Sequence, residues 1–297
     1  MNHLISIVGP TAIGKTKLAV EIAQQFNCEI ISADSRQFYQ EMSVGTAKPT
    51  ENEMRGIRHH LIDFLSVDES YSVGKFEQHV LGILDQLYLN NNLAILTGGS
   101  GLYINAVHNG IDNIPSNDEI RQEVISDYKK NGLKKLQDEL KNADPIHYQL
   151  MDIDNPQRLI RAVEVCRLTG KTYSSFRTKP KLTRPFNIIK IGLYEKREII
   201  YARINRRVDQ MIESGLVSEV QNLQSKKHLN ALQTVGYREL FEFFEGQCSL
   251  EKAIEKIKMN TRRFAKRQMT WFKKDAEIHW FNASSQTEIV NFINSNL

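Results

Sequence analysis

Residues 9–16 read GPTAIGKT, with Gly9, Gly14, Lys15 and Thr16 in the spacing G-x-x-x-x-G-K-[ST]. Glycines let successive backbone N–H groups face an anion, and a helix N-terminus behind them adds positive potential. Lys15 supplies a point charge, and the Thr16 hydroxyl can ligate Mg²⁺. The span Gly9, Pro10, Thr11, Ala12, Ile13, Gly14, Lys15 and Thr16 is therefore a candidate phosphate-binding loop, with Mg²⁺ expected at Thr16. Loops of this type that hydrolyse ATP or GTP work with an Asp at the end of another strand. Here LAILT (93–97) runs into Gly98 and Gly99 without one. The strand-end carboxylate that remains is Asp34, after EIISA. Three roles are open to it: a turn or cap residue, a partner of magnesium through water, or a general base kept ionised by the positive field around phosphate and metal.

Such a loop must be held by a strand and a helix. The apolar runs HLISIV (3–8), EIIS (29–32), LAILT (93–97) and NIIKIGLY (187–194) predict buried strands of a parallel sheet. With helical stretches between the first three, the fold expected is α/β: a doubly wound, P-loop NTPase-like core with a parallel sheet flanked by helices. Ligands gather at the carboxyl ends of such strands, so GPTAIGKT, ADSRQFYQ (33–40) and GGSGLY (98–103) should face one crevice. Residues 112–185 carry helical patterns without a strand and predict an all-helical insertion; residues 1–111 and 186–297 form the core. Within the insertion, Asn155 suits an N-cap, Pro156 the first helical position and Gly170 the residue after the end. Leu159, Val163 and Cys166 form that helix's apolar stripe, with Arg158 and Arg161 on a neighbouring face. In the later helix SLEKAIEKIKMNTRRFAKRQMTWFKK, the spacing of Ile254, Ile257, Phe264 and Trp271 predicts a core-facing stripe.

The net charge of +4 is unevenly spread. Residues 171–207 hold 11 basic and 2 acidic side chains, and residues 256–274 hold 8 basic and none acidic. Clustering of this kind suits nucleic acid as well as a solvated face. Three cysteines, Cys28, Cys166 and Cys248, lie far apart without metal-ligand spacing, and are expected to be small apolar residues. His59 and His60 are adjacent, so their side chains diverge, and no second ligand pair accompanies them. No run approaches the roughly 18 apolar residues of a membrane span, which predicts a cytoplasmic protein without a membrane partner.

The segments GPTAIGKT, ISADSRQFY, GTAKPT, HHLIDF with YSVGKF, GGSGLY, NPQRLIRAVEV and QTVGYRE resemble, in order and spacing, those of bacterial tRNA dimethylallyltransferases. The resemblance runs from residue 4 to about residue 272. It implies a prenyl donor, dimethylallyl diphosphate, whose diphosphate the loop grips. It implies as acceptor N6 of adenosine 37 in the anticodon stem-loop of tRNAs reading codons that begin with U. Asp34 would accept the N6 proton, Lys15 and Mg²⁺ held through Thr16 would stabilise the departing diphosphate, and Ser100 would hydrogen-bond near the reacting groups. The base must be extruded to be reached. The implied tRNA contacts are Asp34, Ser35, Arg36, Gln37, Ser100, Arg121, Gln157, Arg158, Leu159, Ile160, Arg161, Gln233, Thr234, Val235, Gly236, Tyr237 and Arg238. Against the family pattern, Ile13 stands for a common Ser, Arg36 and Phe38 for Met and a smaller apolar residue, and Ser100 for Thr. A nucleotide kinase would leave the basic helices and QTVGYRE unexplained. A prenyltransferase acting on free AMP, ADP or ATP would have no use for the long insertion. An RNA-binding switch would need no base. A monomer acting on one tRNA is the simplest assembly.

Overall fold

Six residues buried throughout, His3–Val8, form β1, and the sheet is laid around it. The structure is a computed structural model and describes residues 1–177 and 182–297; Lys179 and Lys181 of the basic stretch lie outside the described residues. The chain divides into two compact units, one of Met1–His108 with Arg184–Leu297, the other of Asn109–Thr183.

In the first unit, β1 is followed by α1 (Lys15–Phe26), β2 (Ile30–Ser32), α2 (Glu51–Met54), β3 (His59–His60), α3 (Val73–Leu87), β4 (Leu93–Gly98) and α4 (Gly101–Asn109). The second unit contains α5 (Asp118–Ala143), bent at Gly132, then α6 (Pro145–Leu150) and α7 (Pro156–Thr169). The first unit resumes with β5 (Asn187–Tyr194), α8 (Arg197–Glu213), α9 (Leu216–Asn222), α10 (Tyr237–Phe244), α11 (Leu250–Phe272), β6 (His279–Asn282) and α12 (Gln286–Asn294). Strand order is β3-β2-β4-β1-β5-β6, with every pairing among the described residues parallel. Successive side chains of a strand point to opposite faces. Accordingly Leu4 packs with Leu96, Phe38, Phe76 and the helices α3 and α9 to α11, while Ile5 and Ile7 pack with α1, α8 and α12.

Two strands were not foreseen. β3 is two polar residues long, and β6 is only part-buried; both lie at sheet edges, where no continuous apolar run is required. The divergence of the histidine pair is explained by β3 itself: His59 bonds the Ile57 carbonyl through Nδ1 at 2.9 Å, while His60 turns to Glu29. Among the described residues no cluster of His, Cys, Asp and Glu could hold a metal, and no helix is long and apolar enough to cross a membrane.

The second unit is built on α5 and α7. Asn155 caps α7 by accepting the Arg158 N–H at 3.2 Å, and Gly170 ends it in the left-handed region at φ 66°. Leu159 and Val163 are fully buried against Val124, Leu136 and Leu140. The Leu159 side chain is thus core and without surface, and that of Ile160 is 7% exposed, so any contact of these two with RNA would fall to their backbone or to that small remainder.

Candidate active site

Strand order explains why the three motif loops meet. β4 lies between β2 and β1, so the segments after Val8, Ser32 and Gly98 leave adjacent strand ends. The approach is close: a Cβ on Gly98 would stand 2.2 Å from the Ala33 carbonyl oxygen, so only glycine lets the Asp34 turn come this near. Ala33 N–H donates to Thr97 C=O at 2.7 Å and Ser100 N–H to Ala33 C=O at 3.2 Å. Asp34 then closes a turn on itself, Oδ1 accepting the Arg36 N–H at 3.1 Å. Oδ1 is occupied, and Oδ2 has no hydrogen-bond partner among the described residues.

Ser100 supports the same turn. Its Oγ accepts the Ser35 N–H at 3.1 Å and donates to Ser35 Oγ at 3.1 Å. Gln37, from the other end of the turn, donates to the carbonyls of Thr46 and Ala47 at 3.2 Å each and receives the Ser32 hydroxyl. Arg36 directs its guanidinium to the carbonyls of Asn230 and Ala231, both at 2.9 Å. It ties the Asp34 turn to the segment leading into Gln233–Arg238. Burial lowers the pKa of Arg36, with Tyr39, Tyr103 and Asp34 opposing.

Residues 9–16 turn through positive φ at Gly9 (154°) and Gly14 (106°), which glycine permits, and also at the non-glycine Ala12 (62°). α1 starts at Lys15 without a side-chain cap, and Gly14, Lys15 and Thr16 line a cavity. Ile13 does not: it is 1% exposed and packs with Leu18, Ile191 and Ile204. The Ile13 side chain belongs to the core, and the residue offers the loop only its backbone. Lys15 Nζ folds back on the Gly9 and Pro10 carbonyls at 3.1 and 2.9 Å. The residue keeps some surface, yet its ammonium is enclosed, and burial pushes it down to about 8 against the opposing pull of Asp34. Two cations from α8 close over the loop: Arg207 donates to Thr11 Oγ1 at 3.2 Å and Arg203 to the Ile13 carbonyl at 3.3 Å.

Two cavities share Thr11, Asp34, Thr46, Ala47 and Arg207 as walls. The first, about 390 Å³, is polar and lined by Lys15, Thr16, Ser32, Gln37 and Arg203. The second, about 530 Å³, is lined by Arg36, Ser100, Tyr103, Gln233–Arg238 apart from Tyr237, and by Phe264, Arg267 and Trp271 of α11. Phe264 and Trp271 are 40% and 45% exposed, which overturns their expected core position. The helix does have an apolar face, but it runs through Ala253, Ile257, Ala265 and Phe272, leaving these two rings in the cavity mouth. Trp271 sits so close to Gly101 that a Cβ there would stand 2.2 Å from the indole. Tyr237 is fully buried, and its hydroxyl donates to Glu219 at 2.6 Å. Glu219 also receives the N–H groups of Ser43, Val44 and Gly45 at 2.7 to 2.9 Å, fixing the loop that carries Thr46 and Ala47.

The IPP transferase family model matches residues 37–275. The chain belongs to the IPP transferase family. Within it, the chain is 48% identical to tRNA dimethylallyltransferase 1 of Bacteroides thetaiotaomicron over 99% of this chain and 96% of the relative. It is 50% identical to the tRNA dimethylallyltransferase of Flavobacterium psychrophilum over 100% and 99%. Among solved structures it resembles a tRNA isopentenylpyrophosphate transferase from Bacillus halodurans, with 38% identity, a TM-score of 0.74, and 99% and 96% of the two chains covered. It also resembles a eukaryotic dimethylallyltransferase acting on tRNA, with 25% identity, a TM-score of 0.82, and 100% and 80% covered.

Of the site residues expected in this family member, Thr11, Ala12, Gly14–Thr16, Asp34–Gln37, Ser100, Gln233–Gly236 and Arg238 line the two cavities, while Ile13 and Tyr237 lie behind them in the core. Arg121, Gln157, Arg158 and Arg161 belong to the second unit. There Arg161 is engaged internally, bonding buried Glu164 at 2.7 Å and the Ile114 carbonyl at 3.0 Å; Arg121 reaches the same carboxylate at 3.4 Å. Gln157 and Arg158 are exposed. Sequence reasoning missed Arg203 and Arg207. Their spacing of four on one helix face, beside a phosphate loop, was the available signal.

Proposed function

We propose that the chain transfers a dimethylallyl group from dimethylallyl diphosphate to N6 of adenosine 37, in tRNAs that read codons beginning with U, and releases diphosphate. The observation that carries this reading is the position of Asp34 in the wall shared by the two cavities, with Oδ2 unengaged. The polar cavity suits a diphosphate: loop N–H groups, Lys15, Arg203 and Arg207 offer donors and positive charge. The other suits a nucleobase, with Phe264 and Trp271 exposed for stacking and Arg267 beside them.

As the allylic C–O bond breaks, its electron pair leaves on the diphosphate, and the loop donors meet that growing charge. Lys15 exchanges its two carbonyl partners for phosphate oxygens. The N6 lone pair forms the new C–N bond, and Asp34 Oδ2 takes the N6 proton. Ser100, through Ser35, and Gln37, through the 46–47 loop, hold that carboxylate in place. Thr16 lines a cavity that also holds the oxygen donors Ser32, Asp34 and Glu53, hard ligands of the kind that fits Mg²⁺ shared with phosphate oxygens. Bound there, Mg²⁺ would offset diphosphate charge. A cytoplasmic monomer is the simplest working form.

The test is transfer of label from dimethylallyl diphosphate to an unmodified anticodon stem-loop, with free AMP and ATP as competing acceptors. Prenylated N6 should appear in the RNA alone. Asp34→Ala should lower turnover by about 10²- to 10⁴-fold while leaving RNA affinity unchanged. Transfer to free nucleotides, or phosphoryl transfer from ATP, would sink the reading.

A further inference from the structure

Gln268 is a glutamine on the cavity side of α11, only 7% exposed. Both ends of its amide are used: Oε1 accepts the Thr11 N–H at 2.9 Å, and Nε2 donates to the Gly99 carbonyl at 3.0 Å. Those partners fix the amide's orientation, since a donor and an acceptor cannot be exchanged. The contact is close enough that a Cβ on Gly99 would stand 2.2 Å from Nε2. Thr11 belongs to the phosphate loop, and Gly99 precedes the serine that supports the Asp34 turn. Phe264 and Trp271 lie four residues before and three after Gln268, so one face of α11 carries all three. A single buried amide therefore joins the donor loop, the strand end behind the base, and the stacking surface of the acceptor cavity.

We propose that Gln268 is a positioning residue that couples occupancy of the acceptor cavity to order in the diphosphate loop, so that RNA on α11 tightens donor binding. The inference rests on the proposed reaction. RNA stacked on Phe264 and Trp271 restrains the helix between them, and with it the amide that holds Thr11 N–H. A diphosphate entering the restrained loop loses less conformational entropy, and by linkage a bound diphosphate tightens RNA to the same extent.

The experiment measures binding of inorganic diphosphate with Mg²⁺ to the full chain, alone and with a saturating unmodified anticodon stem-loop. In the native protein the RNA should raise diphosphate affinity about tenfold, within the usual range of coupling between sites. Gln268→Met keeps the volume and removes both hydrogen bonds; Gln268→Glu keeps the acceptor for Thr11 and loses the donor to Gly99. In each, the ratio of affinities with and without RNA should fall to about one, whereas a merely structural amide would leave it unchanged. Hydrogen exchange at the Thr11 amide of the native chain gives a reading independent of either variant: it should slow when RNA binds. A ratio kept in a folded variant, or Thr11 exchange indifferent to RNA, overturns the coupling while transfer activity stands. A native chain that transfers no prenyl group overturns the reaction itself.

Discussion

Helices α7 and α11 both present arginines and an apolar stripe at the level of sequence, and the structure uses them in opposite ways. In α7 Leu159 and Val163 are buried and two of the three arginines are drawn inward: Arg161 pairs with fully buried Glu164, and Arg167 binds Asp127 and Glu139, while Arg158 stays exposed. In α11 the rings of Phe264 and Trp271 are exposed. Arg263, Lys266, Arg267, Lys273 and Lys274 have no acidic partner within 4 Å among the described residues, and Arg267 lies over the Phe264 ring at 5.8 Å. A cation engaged by a carboxylate inside a unit is spent on stability. One left beside an exposed ring remains available to a phosphate.

The contrast can be broken in four places. Leu159→Ala in α7 should cost about 3 kcal/mol of stability, the middle of the range for a buried leucine, as read from denaturant melts. A loss under 1 kcal/mol would mean Leu159 has surface to offer after all. Arg161→Ala should cost about 2 kcal/mol, because it leaves Glu164 buried with Arg121 as its remaining cation, and should leave the salt dependence of RNA binding unaltered. A flattened salt slope would return Arg161 to the list of phosphate contacts. Trp271→Ala in α11 should weaken stem-loop binding by about 1.5 kcal/mol, a typical stacking contribution, with melting unchanged. The reverse pattern, lost stability with RNA affinity intact, would restore the ring to the core. Arg267→Ala should have the smallest effect, lowering the slope of log affinity against log salt by about 0.7 without moving the melt.

Much of the frame was legible in the sequence, because its signals are local. β1, β4 and β5 are continuous apolar runs, and α7 carries its cap, its first-turn proline and its terminal glycine in order. The phosphate loop declares itself by glycine spacing. What escaped depends on distant partners. Periodicity places Phe264 and Trp271 at core spacing, but which stripe of α11 is buried follows from what packs against it, and Ala265 and Phe272 win that place. Arg161 and Arg158 look alike until Glu164 is seen to take one of them. Arg36 reads as a departure from pattern, yet its reach to residues 230 and 231 makes it a brace of the same cavity. Arg203 and Arg207 escaped because their spacing alone does not say that the middle of α8 crosses over residues 11 and 13.

The Glu219 clamp and the Gln268 amide also set the order in which the protein can be made. The phosphate loop leaves the ribosome with the first residues, but the Gly45 N–H waits 174 residues for its carboxylate, and Thr11 N–H waits 257 for its amide. At ordinary rates of synthesis, the second interval lasts on the order of tens of seconds. During it β1, destined for the middle of the sheet, also lacks β5 on one side. The nascent chain therefore carries the loop at residues 9–16 and an unpaired apolar strand edge well before it carries the complete crevice, and chaperone protection should matter most in that interval.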